Sequence, residues 1–196
     1  MITCPTSLAI TDMPFQEYLK LEGYSHSFLK YQKNGVAESK EATVNMQIGT
    51  LVDQILTEPA KVDMSHELYK EAKQIAHSLT STYGEMINAF KKQVSYTGVF
   101  HYAGFQLPVK GRLDFLIPNH AVVDIKVTWS KDVLALIEYM GYKNQLFAYC
   151  KMAGVKKGYI MIHSAPLNKT TIVDIAIPDT NEFWQQQILN FGTIIQ

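Results

Sequence analysis

Three residues near the middle of the chain have the types and spacing needed for metal-assisted chemistry. The segment PVKGRLDFLIPNHAVVDIKVT, Pro108–Thr128, contains two apolar runs, each with one acidic residue. Val109–Ile117 carries Asp114, and Ala121–Val127 carries Asp124 and Lys126. Pro118-Asn119-His120 between them is a turn signal, so the two runs read as an antiparallel hairpin. If those residues form the turn, Ile117 pairs with Ala121 and Asp114 falls opposite Asp124. Opposed Cβ atoms lie about 4.5–5.5 Å apart, where like charges repel. One carboxyl must then keep its proton, or a cation must sit between the two. Alternation puts Lys126 on the Asp124 side of its strand, with Val123, Ile125 and Val127 on the other. Carboxylates holding a divalent ion beside a lysine form an arrangement suited to phosphoryl transfer.

A plainer reading makes this hairpin a surface element with a solvated charged face. The flanking residues argue against it. Leu113, Phe115 and Leu116 surround one carboxylate, and Val122, Val123 and Ile125 surround the other. Strands this apolar are buried on both faces, and Asp and Lys are seldom buried unless paired or ligating.

Other elements must position these groups. Residues 1–10 read as an irregular arm, followed by short helices over Phe15–Leu21 after Pro14 and over His26–Gln32 after Ser25. A turn is expected at Asn34-Gly35 and a polar loop over 36–42. Thr43 caps a stronger helix that stops before Pro59, with a stripe of Val44, Ile48, Leu51, Val52 and Ile55. Gly49 inside it suggests close backbone approach. Asp53 lies one turn on, and by itself reads as a solvated helix carboxylate. A long helical segment from Ser65 to about Lys92 carries Glu85, which reads as an exposed charge. Strands follow over Gln93–Tyr102 and Phe105–Lys110, leading into the hairpin, and His101 reads as a strand histidine. Next come a helix over Lys131–Met140 capped by Ser130 and a helix over Tyr142–Met152. Tyr142, Gln145 and Tyr149 share one face of the latter, an unusual polar stripe on so apolar a helix. A hairpin over Lys157–His163 and Thr170–Ile177 and a helix over Glu182–Phe191 complete a single mixed α/β layer structure.

The bulk composition narrows the function classes. With 196 residues, 47% of them hydrophobic, the chain can bury a full single core. Eighteen basic and eighteen acidic side chains cancel, so no global field attracts a polyanion, though a local basic groove remains open. Two cysteines outside any CxxC spacing exclude a disulfide framework, a zinc ribbon or a four-cysteine cluster within this chain. No leader or apolar run of spanning length appears, which predicts a cytoplasmic protein without a membrane partner.

Gly111-Arg112-Leu113-Asp114, then Asp124-Ile125-Lys126, then Gln145-x-x-x-Tyr149 together resemble the PD-(D/E)xK nuclease superfamily, in its RecB-like and RecE-like exonuclease branch. Upstream, Ser25–Leu29 and Ile48–Asp53 resemble the opening helices of RecE-like proteins. The likeness runs over roughly residues 24–163. It implies a single-domain restriction-endonuclease-like fold over residues 1–196, with a mixed central sheet flanked by helices and residues 1–42 as an N-terminal helical arm.

The resemblance also implies site roles. Asp114, Asp124 and the Ile125 carbonyl would hold Mg²⁺ or Mn²⁺. Lys126 would orient or deprotonate the attacking water. Gln145 and Tyr149 would hold the scissile strand or buttress Lys126. Lys110, Arg112 and Tyr142 would meet DNA. The branch usually carries a metal-binding histidine where this chain has Asp53, an oxygen ligand also suited to these ions. The implied activity is DNA cleavage, exonucleolytic rather than endonucleolytic, in a bacterial or phage-encoded recombination or repair system, with a ring-shaped homo-oligomer or a recombination protein as partner. A weakened DNA-binding or assembly subunit, and a nuclease module dependent on a helicase or CRISPR partner, remain alternatives.

Overall fold

The computed structural model describes residues 1–11, 13–30, 32–33, 36–37 and 43–195. Its spine is the long strand β5 (Phe105–Ile117), built from the apolar run that contains Asp114. Its antiparallel partners are β4 (Lys91–Tyr102) and β6 (Ala121–Thr128). The turn between β5 and β6 closes as expected: Ile117 pairs with Ala121, Asn119 takes φ +58°, and His120 N donates to Ile117 O. β6 runs parallel to β7 (Lys157–Ser164), which turns back into β8 (Lys169–Ala176). The sheet order is β1-β4-β5-β6-β7-β8, with β9 (Thr193–Ile194) added to the start of β5. A separate ribbon pairs β2 (Gln32–Lys33) with β3 (Val36–Ala37).

β1 (Thr3–Ile10) corrects the expectation of an irregular, wholly helical arm: it is the edge strand beside β4. Its pattern TCPTSLAI has no clean alternation, and Pro5 is tolerated because an edge strand needs ladder bonds on one side only. Its partner is some ninety residues distant in sequence, out of reach of local pattern.

Each sheet face is covered by helices. On one side α3 (Val44–Thr57) and α4 (Tyr69–Ala89) pack Ile48, Leu51, Val52, Leu56, Ile75 and Leu79 against Phe115, Val123 and Ile125. On the other, α6 (Tyr142–Ala153) and α7 (Glu182–Phe191) pack Leu146, Phe147, Trp184 and Ile188 against Leu113 and Val122. Full burial of one such side chain contributes about 1.5–3 kcal/mol, so these two layers fix both helix pairs firmly on the sheet. Shorter helices α1 (Phe15–Lys20), α2 (His26–Lys30) and α5 (Val133–Tyr139) line the edges. Among the described residues no helix is long and apolar enough to cross a membrane.

Several local expectations shift. Thr43 does cap α3, its side chain accepting from Met46 N, but Val44 is exposed rather than part of the stripe. A Cβ at Gly49 would meet nothing within 4 Å, so no close approach explains that glycine. α4 starts at Tyr69 rather than Ser65, because Asp63 captures Ser65 N and Oγ in a local turn. Asp132, not Ser130, caps α5 by accepting from Ala135 N, while Ser130 Oγ accepts from Asp132 N. α2 stops at Lys30, two residues early, with Gln32 already in a strand. Val36-Ala37 is strand rather than loop; the Asn34-Gly35 turn and residues 38–42 lie outside the described residues.

One glycine sets the depth of α6. A Cβ on Gly111 would lie 2.7 Å from the Tyr149 ring and 2.6 Å from Met152 Cε, so only glycine lets this helix sit down on β5. Gly111→Ala is expected to destabilise the fold by about 1–3 kcal/mol through overpacking. Urea unfolding monitored by tryptophan fluorescence checks this, and a variant as stable as the wild type would show that α6 has slack.

Candidate active site

The two ladders flanking β5 both break at Asp114. On the β4 side pairing runs from Lys92↔Phe115 to Val94↔Leu113 and skips the level between, where Gln93 would face Asp114. On the β6 side pairing runs from Phe115↔Val123 through Ile117↔Ala121; one step further would set Asp114 against Asp124. At that step the side chain replaces the ladder: Asp114 Oδ2 accepts from Ile125 N at 2.8 Å. Below the break, the same edge of β5 is bridged by Tyr24 at Val109. Between this bridge and β6 the strands leave a wedge, and the carboxylates gather around it.

Asp124 lies deepest, at 1% exposure. Its Oδ2 forms an ion pair with Lys126 Nζ at 2.7 Å, and no hydrogen-bond donor reaches its buried Oδ1 among the described residues. Lys126 Nζ also sits 5.3 Å above the centroid of the Tyr142 ring. Asp53, on α3, points to the same place: its carboxyl is close enough to Lys126, Asp124 and Arg112 to feel their charges, and Gln93 Nε2 donates to both of its oxygens. From α6, Gln145 Nε2 donates to Tyr149 Oη at 2.8 Å, and Tyr149 feels both Asp124 and Asp114. Thus Asp114, Asp124 and Lys126 come together as their spacing predicted, and Asp53, Gln145, Tyr149 and Tyr142, grouped with them only through the resemblance, lie around the same place.

Of the residues expected to meet DNA, Arg112 is turned inward, against that expectation, while Lys110 is half-buried and tied to the N-terminal segment. Lys110 Nζ donates to Leu19 O and Leu21 O and lies over the Tyr18 ring, tying α1 to the sheet. Arg112 is buried: Nη1 donates to Met13 O, Nη2 pairs with Glu58 at 3.2 Å, and Nε donates to Gln93 Oε1. Both are bonded to the N-terminal segment, through Met13 and through Leu19 and Leu21 of the helix the sequence predicted over Phe15–Leu21. Glu85 is exposed on α4, as the plainer reading held.

The electrostatics follow from burial. Desolvation raises the Asp114 carboxyl well above the ordinary carboxylate range, and Asp53 and Asp124 push the same way. Desolvation likewise pushes Asp53 up to about 6, with Asp124 adding to it and Lys126, Gln93 and Arg112 opposing. Burial pulls the Lys126 ammonium down, but Asp124 and Asp114 outweigh it, so the lysine holds its proton more tightly than a free one.

Among the described residues no group of three or more His, Cys, Asp or Glu side chains is placed, as they stand, to hold a metal ion. Each carboxylate instead has a partner of its own: Gln93 for Asp53, Ile125 N for Asp114, Lys126 for Asp124. The donor chemistry nevertheless fits a hard divalent ion. All the donors are oxygens, Asp124 Oδ1 is buried without a partner, and the carboxylates destabilise one another when ionised.

No family model matches the chain, and no curated protein does. Among solved structures, a "putative exonuclease" from Eubacterium rectale superposes with TM-score 0.50 at 21% identity, covering 79% of this chain. The two share a fold. It is a restriction-endonuclease-like one, in a single domain. The chain spans 65% of that protein's length. A phage-related exonuclease from Haemophilus somnus aligns over 89% of this chain and 99% of its own, at 13% identity and TM-score 0.43. The protein SSO0001 aligns over 78% and 76% at 21% identity and TM-score 0.44.

Sequence reasoning missed Gln93, Thr57 and Glu58, which surround Asp53 and Arg112. No motif marks them; the one available signal was a glutamine opening an otherwise aromatic and β-branched strand.

A raised carboxyl makes a testable statement about stability. The folded state holds the Asp53 proton better than the unfolded one, so this group's stabilisation is complete below about pH 4 and is lost as pH rises through about 6. Asp53→Asn cannot ionise. With chelator present it is expected to be more stable than the wild type by about 1–2 kcal/mol at pH 7.5 and equal to it at pH 4. Urea titrations at the two pH values measure the difference, and a variant less stable at pH 7.5 would count against a strained Asp53.

Proposed function

We propose that this protein is a Mg²⁺- or Mn²⁺-dependent deoxyribonuclease, acting as an exonuclease on DNA in a recombination or repair system. The observation that carries the reading is the row Asp114, Asp124 and Lys126 at the break in the sheet, with one buried carboxylate oxygen left without a donor. The fold shared with a protein described as a "putative exonuclease" agrees with it.

The residues divide the work by chemistry. Asp53, Asp114, Asp124 and the Ile125 carbonyl would hold the ion or ions. A bound divalent ion would polarise the phosphate and lower the pKa of a water in reach. Lys126 has a raised affinity for its proton, which favours orienting the attacking water over deprotonating it. As an ammonium it also offsets charge building on the phosphorus oxygens. Gln145 orients the Tyr149 hydroxyl, which could donate to the scissile strand or accept from the Lys126 ammonium. Tyr142 supports the Lys126 ammonium from below. Strand polarity, a ring of copies and a recombination partner belong to the resemblance alone.

Asp114→Ala is expected to abolish Mg²⁺-dependent cleavage of end-labelled linear duplex while the circular dichroism spectrum stays that of the wild type. Lys126→Ala should slow cleavage by on the order of 10²–10³. Exonuclease action predicts mononucleotides from linear DNA and no attack on closed circles. Full cleavage by Asp114→Ala would refute the site, and nicking of circles would refute the mode.

A further inference from the structure

Gln93 stands inside β4, yet its φ is +51°. Among the described residues, the other non-glycine positions with positive φ, Ala103, Asn119 and Asn168, lie outside the strands, in the connections that follow β4, β5 and β7. A left-handed residue within a strand is costly, and such strain persists only where surrounding contacts over-determine it. Here they do. Gln93 Nε2 donates to Asp53 Oδ1 and Oδ2 at 3.2 and 3.1 Å and to Thr57 Oγ1 at 3.0 Å. Thr57 Oγ1 in turn donates to Asp53 O, one turn back along α3. On its other side Gln93 Oε1 accepts from Arg112 Nε, and Arg112 is anchored by Glu58 and Met13 O.

This chain of contacts fixes the sense of the amide. A guanidinium has donors only, so the oxygen of Gln93 must face Arg112 and its NH₂ must face Asp53. The left-handed backbone also takes Gln93 out of its pairing with Asp114, at the level where the β5–β6 ladder ends. A carboxylate on a helix turns freely about its own bonds unless a donor holds it, and such outer partners set the orientation of metal ligands.

We propose that Gln93 is the positioning residue that holds the Asp53 carboxylate toward Asp114 and Asp124, its amide locked in sense by Arg112. This rests on the metal-site reading above and deepens it: where a donor ring would be rigid by itself, the aspartate at position 53 is oriented from β4.

Gln93→Asn isolates the contact, because asparagine tolerates a left-handed backbone while its amide is one methylene too short to span Arg112 and Asp53. Mn²⁺ titration calorimetry on the wild type, Gln93→Asn, Asp53→Ala and the double variant, with a thermal melt of each, makes the test. Gln93→Asn is expected to weaken Mn²⁺ binding about tenfold, with cleavage recovered at saturating Mn²⁺. In the Asp53→Ala background the same change should alter the affinity less than about twofold, since additivity fails for residues acting as a unit. If Gln93→Asn does not fold, Gln93→Gly, unstrained at this φ, replaces it in the cycle. Wild-type affinity in Gln93→Asn, or an equal loss with and without Asp53, overturns the positioning role. A wild-type protein that binds no Mn²⁺ overturns the metal-site reading and this inference together. Binding that Asp53→Ala weakens and Gln93→Asn does not overturns this inference alone.

Discussion

Negative charge crowded into a largely buried wedge is the constraint behind the rest of the structure. Asp53, Asp114 and Asp124 sense one another, and burial disfavours the ionised form of the first two. Lys126, 2.7 Å from Asp124, is the ammonium set against them, and its proton is held the more firmly for it. Buried charges gain little unless geometry and hydrogen bonds are both satisfied. Here satisfaction is partial, because one oxygen of the deepest carboxylate has no donor. Such a cluster lowers stability in exchange for a place where added positive charge is strongly favoured.

The fold imposes that crowding. β5 and β6 are pinned together at Phe115↔Val123 to Ile117↔Ala121, so their acidic residues are delivered side by side where pairing stops. α3 is held through Ile48, Leu51, Val52 and Leu56, which leaves Asp53 at the margin of that packed face. α6 comes from the opposite layer and reaches the wedge because Gly111 has no Cβ to stop Tyr149. Two independent cores thus converge on one seam. Neither can shift without moving a charged group against its neighbours, which is why the groups hold their geometry despite the repulsion.

What the sequence made legible was local. Alternation within two apolar runs located Asp114, Asp124 and Lys126, and the turn chemistry of Pro118–His120 set the register correctly. Helical spacing brought Gln145 onto Tyr149, a contact the structure contains. The failures were non-local. β1 looked shapeless because its order comes from β4 across the chain, and the segment around Met13 and Leu21 took up the bonds of Arg112 and Lys110. Gln93 was invisible because its meaning lies in a backbone angle and in partners on α3 and β5. Gly49 shows the opposite error: a residue rule suggested crowding where there is open space.

The burial of Arg112 bears on how an anionic ligand of the proposed kind would reach the wedge. Arg112 is matched by Glu58 and Lys126 by Asp124, so Asp53 and Asp114 remain as the unbalanced charges of the seam when ionised. Eighteen acidic and eighteen basic residues leave no global field to override that local sign. A phosphodiester approaching the bare seam meets repulsion, at close range and in a medium that screens poorly. Cations bound by the carboxylates would reverse that sign. On the reading proposed above, this balance of charge would favour a divalent ion at the seam before nucleic acid, with Lys126 as the ammonium already beside it.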